Sequence, residues 1–181
     1  MTTSGDTSTQ VTTYYLEMTR PDAHQSAQLK DPSREHDIDV RCIEMPQFQF
    51  NRFLYQLVGE AWQWTDKLAW SDQQWRELVE SPDHQTWVAY FKGAVLGYFE
   101  LNRAGNDVEI LYFGLAPQFI GQGMGGYLLS KAIDAAWHWT SSTSLSEVDR
   151  VWVHTCSLDH PSALVNYEAR GFNVYKTEIE P

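Results

Sequence analysis

Residues 109–126 read Glu109-Ile110-Leu111-Tyr112-Phe113-Gly114-Leu115-Ala116-Pro117-Gln118-Phe119-Ile120-Gly121-Gln122-Gly123-Met124-Gly125-Gly126. An apolar and aromatic run gives way to small residues. Beyond them Tyr127, Leu128, Lys131, Ala132, Ala135 and Ala136 continue at helical spacing. The order is strand, glycine-rich turn, helix. Glycines without Cβ let a bulky anion approach the backbone closely. Free N–H groups at the positive end of a helix then bind phosphate oxygens. A pyrophosphate-bearing ligand is the physical expectation.

Upstream of this stretch, Trp87–Phe91 and Ala94–Leu101 flank Lys92-Gly93, a hairpin turn. Asn106-Asp107 after Gly105 makes a second turn, so Glu109–Leu115 is the third strand of an antiparallel run. Nearer the start, Val11–Met18 is β-branched and aromatic and reads as a strand. Residues 19–35 are polar, contain Pro21 and Pro32, and read as a connection. Asp39–Glu44 is a short strand, and Pro46 can open a helix carrying Phe50, Phe53, Leu54, Leu57 and Val58. Ser71-Asp72-Gln73-Gln74 resembles a capping box that opens a helix through Glu80.

Downstream, the helix after the glycines ends in the polar run Thr140–Ser146. Val151–His154 is a strand, Asp159 can cap a helix over His160–Arg170, and Gly171 supplies its left-handed stop. Phe172–Thr177 is the last strand. Residues 1–10 form a Ser/Thr-rich tail, and residues 11–181 form one mixed α/β (α+β) domain.

The composition narrows the partners. A formal net charge of −11 sets the chain against phosphate backbones, so nucleic acid is not an expected partner. A cationic amine would be attracted over a distance set by salt. Two cysteines, Cys42 and Cys156, are too few for a disulfide framework or a four-thiolate zinc site. The histidines show no ligand spacing, so no metal is expected. No apolar stretch approaches a membrane span and no signal peptide is visible, which points to a cytoplasmic protein.

Three ligands compete for the glycine turn. A Walker-type phosphate loop fails, because no Lys-Ser or Lys-Thr closes the glycines. Gly121, Gly123 and Gly126 satisfy the dinucleotide pattern G-x-G-x-x-G. Hairpins precede the strand where that fold needs alternating β-α-β, and Asp149 precedes the next strand instead of ending it, so this reading is discarded.

The third ligand is coenzyme A. Leu115-Ala116-Pro117, then Gly121-Gln122-Gly123-Met124-Gly125 and Tyr127-Leu128-Leu129, resembles the signature of the GNAT N-acetyltransferase superfamily, Gln/Arg-x-x-Gly-x-Gly/Ala. Counted from Pro117 the pattern falls on Ile120–Gly125, with Ile120 in place of the Gln or Arg. Gln118–Gly123 fits it literally. Asn166-Tyr167-Glu168-Ala169-Arg170-Gly171-Phe172 resembles the family's Tyr-x-x-x-Gly-Phe helix end. Together these cover roughly Asp39 to Glu178.

The resemblance implies a GNAT-like fold, a mixed and largely antiparallel central sheet flanked by helices. It implies acetyl or short acyl transfer from acetyl-CoA to a small-molecule or peptide amine, by direct attack in a ternary complex. A non-catalytic acyl-CoA sensor is the alternative. Tyr167 would donate a proton to the leaving thiolate, as suits a phenol, and Glu109 would be the base. Its alternation with Leu111 and Phe113 places all three on one face of the strand.

Phe113 and Leu115 would offer main-chain groups to the pantetheine arm, with Asn166 beside it. Gln118, Gly121, Gln122, Gly123, Met124, Gly125 and Gly126 would surround the pyrophosphate. Trp62, Trp64, Trp70 and Trp75 lie where the family's acceptor pocket is bordered, and each is also a candidate for core packing. His154 and Cys156 lie two apart on a strand and would share a face, as a covalent acyl-carrier site needs, though a small packed thiol is the stronger reading. Oligomeric state stays open, with a homodimer as the expectation and Val11–Met18 as a segment that could add a strand or contact a second subunit.

Overall fold

The computed structural model describes residues 10–139 and 147–180. The expected tail, apart from Gln10, and the polar run Thr140–Ser146 lie outside them. Seven strands form one sheet: β1 (Val11–Met18), β2 (Ile38–Cys42), β3 (His84–Phe91), β4 (Ala94–Ala104), β5 (Asp107–Leu115), β6 (Arg150–Cys156) and β7 (Asn173–Glu180), in the order β2-β3-β4-β5-β6-β1-β7. Every pairing is antiparallel except β5 with β6.

The turns follow from their residues. Lys92 and Gly93 both take positive φ (50° and 86°), which closes β3 onto β4, and Gly105 at φ 64° closes β4 onto β5. The helices are α1 (Phe48–Gly59), α2 (Asp72–Val79), α3 (Gly125–Trp137) and α4 (Ala163–Ala169). α2 opens on the expected capping box, with Ser71 and Gln74 each accepting from the other's backbone N–H.

Helices cover both faces of the sheet. On one, α3 packs Leu128, Leu129, Ala132 and Ile133 against Phe99, Ile110, Val151 and Leu16. On the other, Leu54 and Val58 of α1 meet Val88 and Tyr98, while Tyr55 joins Trp75 and Val79 of α2. A fully buried polar group ties α1 to the sheet on this second side. Asn51 donates to Thr86 Oγ1 at 2.7 Å and to Glu100 Oε1 at 2.9 Å, and His84 Nε2 lies 2.9 Å from Glu100 Oε2.

One expectation is corrected here. Asp159 does not cap α4, which starts after Ser162 with no side-chain cap. Its carboxylate instead accepts from Thr155 Oγ1 (2.7 Å) and the Cys156 N–H (3.0 Å), closing the turn that leaves β6. Val11–Met18 joins the sheet as β1, between β6 and β7. Gly171 keeps its expected left-handed conformation, φ 100°. No helix among the described residues is long and apolar enough to cross a membrane.

Candidate active site

The site exists because β5 and β6 stay together for only three residue pairs. Asp107, Val108 and Glu109 pair in parallel with Arg150, Val151 and Trp152, after which the strands part. The β4–β5 register shifts at the same point, from Leu101↔Ile110 to Glu100↔Tyr112, leaving Leu111 without a partner. Such a bulge bends its strand and exchanges its faces. Val108 and Ile110 face α3, and so do Phe113 and Leu115, while Tyr112 packs toward α1. Glu109 and Phe113 therefore point to opposite faces, which corrects the alternation expected from sequence.

Beyond the fork the backbone of β5 lacks a neighbour on the β6 side. The Ala116 N–H donates to Leu96 O on the β4 side (2.9 Å). Strand alternation then turns the N–H groups of Leu115 and Phe113 toward the gap. A cavity of about 800 Å³ fills it, bounded by β5, β6, α4, the glycine turn and the loop after α1.

At one end of the cavity stands the N-terminus of α3. Gly121 and Gly123 have φ 77° and 78°, a region that favours glycine, and they turn the chain into the helix. The N-cap, Met124, offers no side-chain acceptor, so the first-turn N–H groups are not capped by a side chain. The connection between β1 and β2 straps this end, with Gln25 N–H donating to Arg170 O (2.9 Å) and Ala27 N–H to Ser130 Oγ (2.8 Å). It brings Lys30 so close that a Cβ on Gly123 would lie 2.6 Å from Lys30 Cδ, and one on Gly126 would lie 2.5 Å from Arg170 Nη1. Two cations thus flank an uncapped helix start, a donor set that fits a phosphate-bearing group.

The sequence-predicted residues divide here. Phe113, Leu115, Gly121, Gly123, Gly125, Gly126, Asn166 and Tyr167 line the cavity. Gln118, Gln122, Met124 and Glu109 are not among the lining residues. Gln122 is held by Arg34 (3.1 Å) and by Gln118 O (2.7 Å), and Met124 is buried in the core. Lys30 had no signal in the sequence, since the strap reads only as a connection, and Arg170 fills an unspecified position of the Tyr-x-x-x-Gly-Phe helix end.

In the middle of the cavity Tyr167 is buried between Phe113 and Phe172, with ring centroids at 6.3 and 6.0 Å. Burial, and secondarily the Asp159 carboxylate, push its pKa above the ordinary phenol range. It therefore stays protonated, as a proton donor must. Across from it His154 and Cys156 line the wall from β6. His154 Nδ1 lies 3.4 Å from Glu109 Oε1, so the histidine pairs with the carboxylate rather than with the thiol two residues on.

The far end is aromatic. Trp62 and Trp64 line it with Tyr112 and Asp66, whereas Trp75 is core and Trp70 packs on Trp75. Trp62 meets His160 edge-on at 5.0 Å. Burial works against ionisation of Asp66, but the Tyr55 hydroxyl and the Lys67 charge outweigh it and hold the carboxyl below its usual range. Lys67 itself is buried, its ammonium 4.4 Å from the Trp70 ring and 4.8 Å from that of Tyr112.

A forked sheet stands beside an uncapped helix N-terminus, with a phenol and a histidine in the fork. The sequence profile of the Acetyltransferase (GNAT) family matches residues 44–172, so the chain belongs to that family. None of the curated proteins compared matches it. Among solved structures it is similar to a GCN5-related N-acetyltransferase from Kribbella flavida (TM-score 0.63, 13% identity, covering 93% of this chain and 56% of that one). It is similar also to one from Sphaerobacter thermophilus (0.62, 15%, 93% and 50%). A third is an aminoglycoside acetyltransferase from an uncultured soil metagenomic sample, in complex with trehalose (0.57, 12%, 75% and 88%). These are likenesses of fold, and the chain spans about half the length of the first two.

Proposed function

We propose that this protein transfers an acetyl or short acyl group from coenzyme A to a primary amine, by direct attack within a ternary complex. One observation carries the reading. A single cavity joins the uncapped start of α3, between Lys30 and Arg170, to Tyr167 and to an aromatic lobe of Trp62, Trp64 and Tyr112. The family membership supports the same chemistry.

In this reading the N–H groups of Gly125 and Gly126 hold the pyrophosphate, with Lys30 and Arg170 balancing its charge. The N–H groups of Phe113 and Leu115 take the pantetheine arm as an added strand would, beside Asn166. Tyr167 gives its proton to the departing sulfur. The amine enters past Trp62, Trp64 and Tyr112, whose ring faces attract a cation, and Asp66 supplies the one ionised carboxylate among the lining residues of that lobe. An acidic chain draws such an acceptor in.

The test is thiol release from acetyl-CoA in the presence of spermidine, tyramine, kanamycin or a peptide with a free N-terminus. An aminoglycoside belongs in the panel because one similar structure acts on that class. At least one amine is expected to accelerate release well above the rate with acetyl-CoA alone. Binding of acetyl-CoA with no acceleration by any amine would contradict transfer and leave an acyl-CoA-binding module.

A further inference from the structure

We infer that His154 is the base that takes the proton from the amine, and that Glu109 is a positioning residue behind it. The inference rests on the acyltransfer reading above and assigns a part that reading leaves open. It starts from the fork. Glu109 is the last residue of β5 paired with β6, and its partner is Trp152. His154 is the next residue on that face of β6, just past the point of parting. The two side chains meet at 3.4 Å across the strands.

Their exposures differ in the way the roles require. The Glu109 side chain is 14% exposed and does not line the cavity, whereas that of His154 is 45% exposed and does. A carboxylate facing Nδ1 selects the imidazole tautomer with its proton there, which leaves Nε2 as the acceptor. The Tyr15 ring, opposite His154 on β1 and 5.8 Å away, limits the ring's rotation, and Trp152 stands 6.2 Å off on the same strand.

The other carboxylates and imidazole that line the cavity are engaged, His160 by the Ser162 N–H, which donates to its Nδ1 (3.0 Å). Both oxygens of Asp66 receive tyrosine hydroxyls, from Tyr55 and from Tyr112. Asp159 is held by Thr155 and the Cys156 backbone. The charged and titratable groups around His154 are Glu109 on β5, Tyr15 on β1 with its bond to Glu178, Lys176 over the Tyr15 ring, and Cys156 on its own strand.

In the step itself the amine, made neutral by loss of its ammonium proton to water, bonds through nitrogen to the thioester carbonyl carbon and the C–S bond breaks. One proton leaves nitrogen for Nε2 of His154, and one leaves the Tyr167 hydroxyl for sulfur. The imidazolium and the phenolate return to their starting states by exchange with water. Glu109 takes no proton; it steadies the imidazolium while it exists.

The experiment is steady-state acetyl transfer to the best amine of the panel by the parent, His154→Ala, Glu109→Gln and the double variant, with acetyl-CoA binding measured by calorimetry on each. His154→Ala should lower kcat by about a hundredfold with acetyl-CoA affinity unchanged, and added imidazole should restore a large part of the rate. Glu109→Gln should cost less, and the double variant should be no slower than His154→Ala, since the two act as a unit. Losses that multiply in the double variant, an unrescued loss, or a His154→Ala rate near that of the parent would overturn the assignment while leaving acyl transfer intact. A parent that binds acetyl-CoA but acetylates no amine would overturn both.

Discussion

Tyr167 shows how far a single residue can be read. The motif Tyr-x-x-x-Gly-Phe drew attention to it, and its place between Phe113 and Phe172 puts its hydroxyl-bearing ring in the cavity wall. Tyr167→Phe keeps those ring contacts and removes only the donor. It is expected to lower kcat by about a hundredfold with little change in acetyl-CoA affinity, as steady-state kinetics and calorimetry would show. An unchanged kcat would remove the phenol from the chemistry. Glu109 was legible as a strand residue but not its face, because a bulge at Leu111 has no residue signature when no glycine marks it. Lys30 was illegible for another reason: a lysine in a polar connection looks like any solvated lysine until the strap is laid across α3.

At the scale of elements, local chemistry carried well wherever it was self-contained. The hairpin at Lys92-Gly93, the turn at Gly105 and the box at Ser71 depend on neighbours a few residues apart, and each formed as read. Asp159 failed as a helix cap because Thr155 and the Cys156 N–H, on the strand before it, compete for the same carboxylate. The α2 box gives a direct test, since this short helix delivers Trp75 and Val79 to the core. Ser71→Ala removes the bonds at the N-cap side chain and should destabilise the protein by about 1 kcal/mol, read from urea unfolding. No change would mean that packing alone fixes α2.

The whole molecule holds what sequence reading could not reach. β1 lies between β6 and β7, some 140 residues later in the chain, as the Tyr15↔His154 pairing records. Its own residues say only that it is a strand, since pairing partners so distant leave no local pattern. The concentration of tyrosine in and beside the site has a global consequence. Burial is the leading cause that raises the pKa of Tyr55, Tyr98, Tyr112 and Tyr167. In the unfolded chain these phenols ionise near about pH 10, while the folded protein still holds their protons. Above that pH the unfolded state binds fewer protons, so stability falls as pH rises toward the raised folded values, and it is fully present below. The urea midpoint should therefore be lower at about pH 11 than at about pH 9; equal midpoints would contradict the burial of these hydroxyls.

Calorimetric titration of acetyl-CoA into the parent and into Gly123→Glu decides whether the glycine turn holds coenzyme A. Gly123 sits at φ 78° against Lys30, and a carboxylate there would occupy the charge-seeking end of α3. Saturable binding by the parent and none by a folded Gly123→Glu is expected. A well-folded parent that binds no acetyl-CoA would contradict a coenzyme A site at this turn.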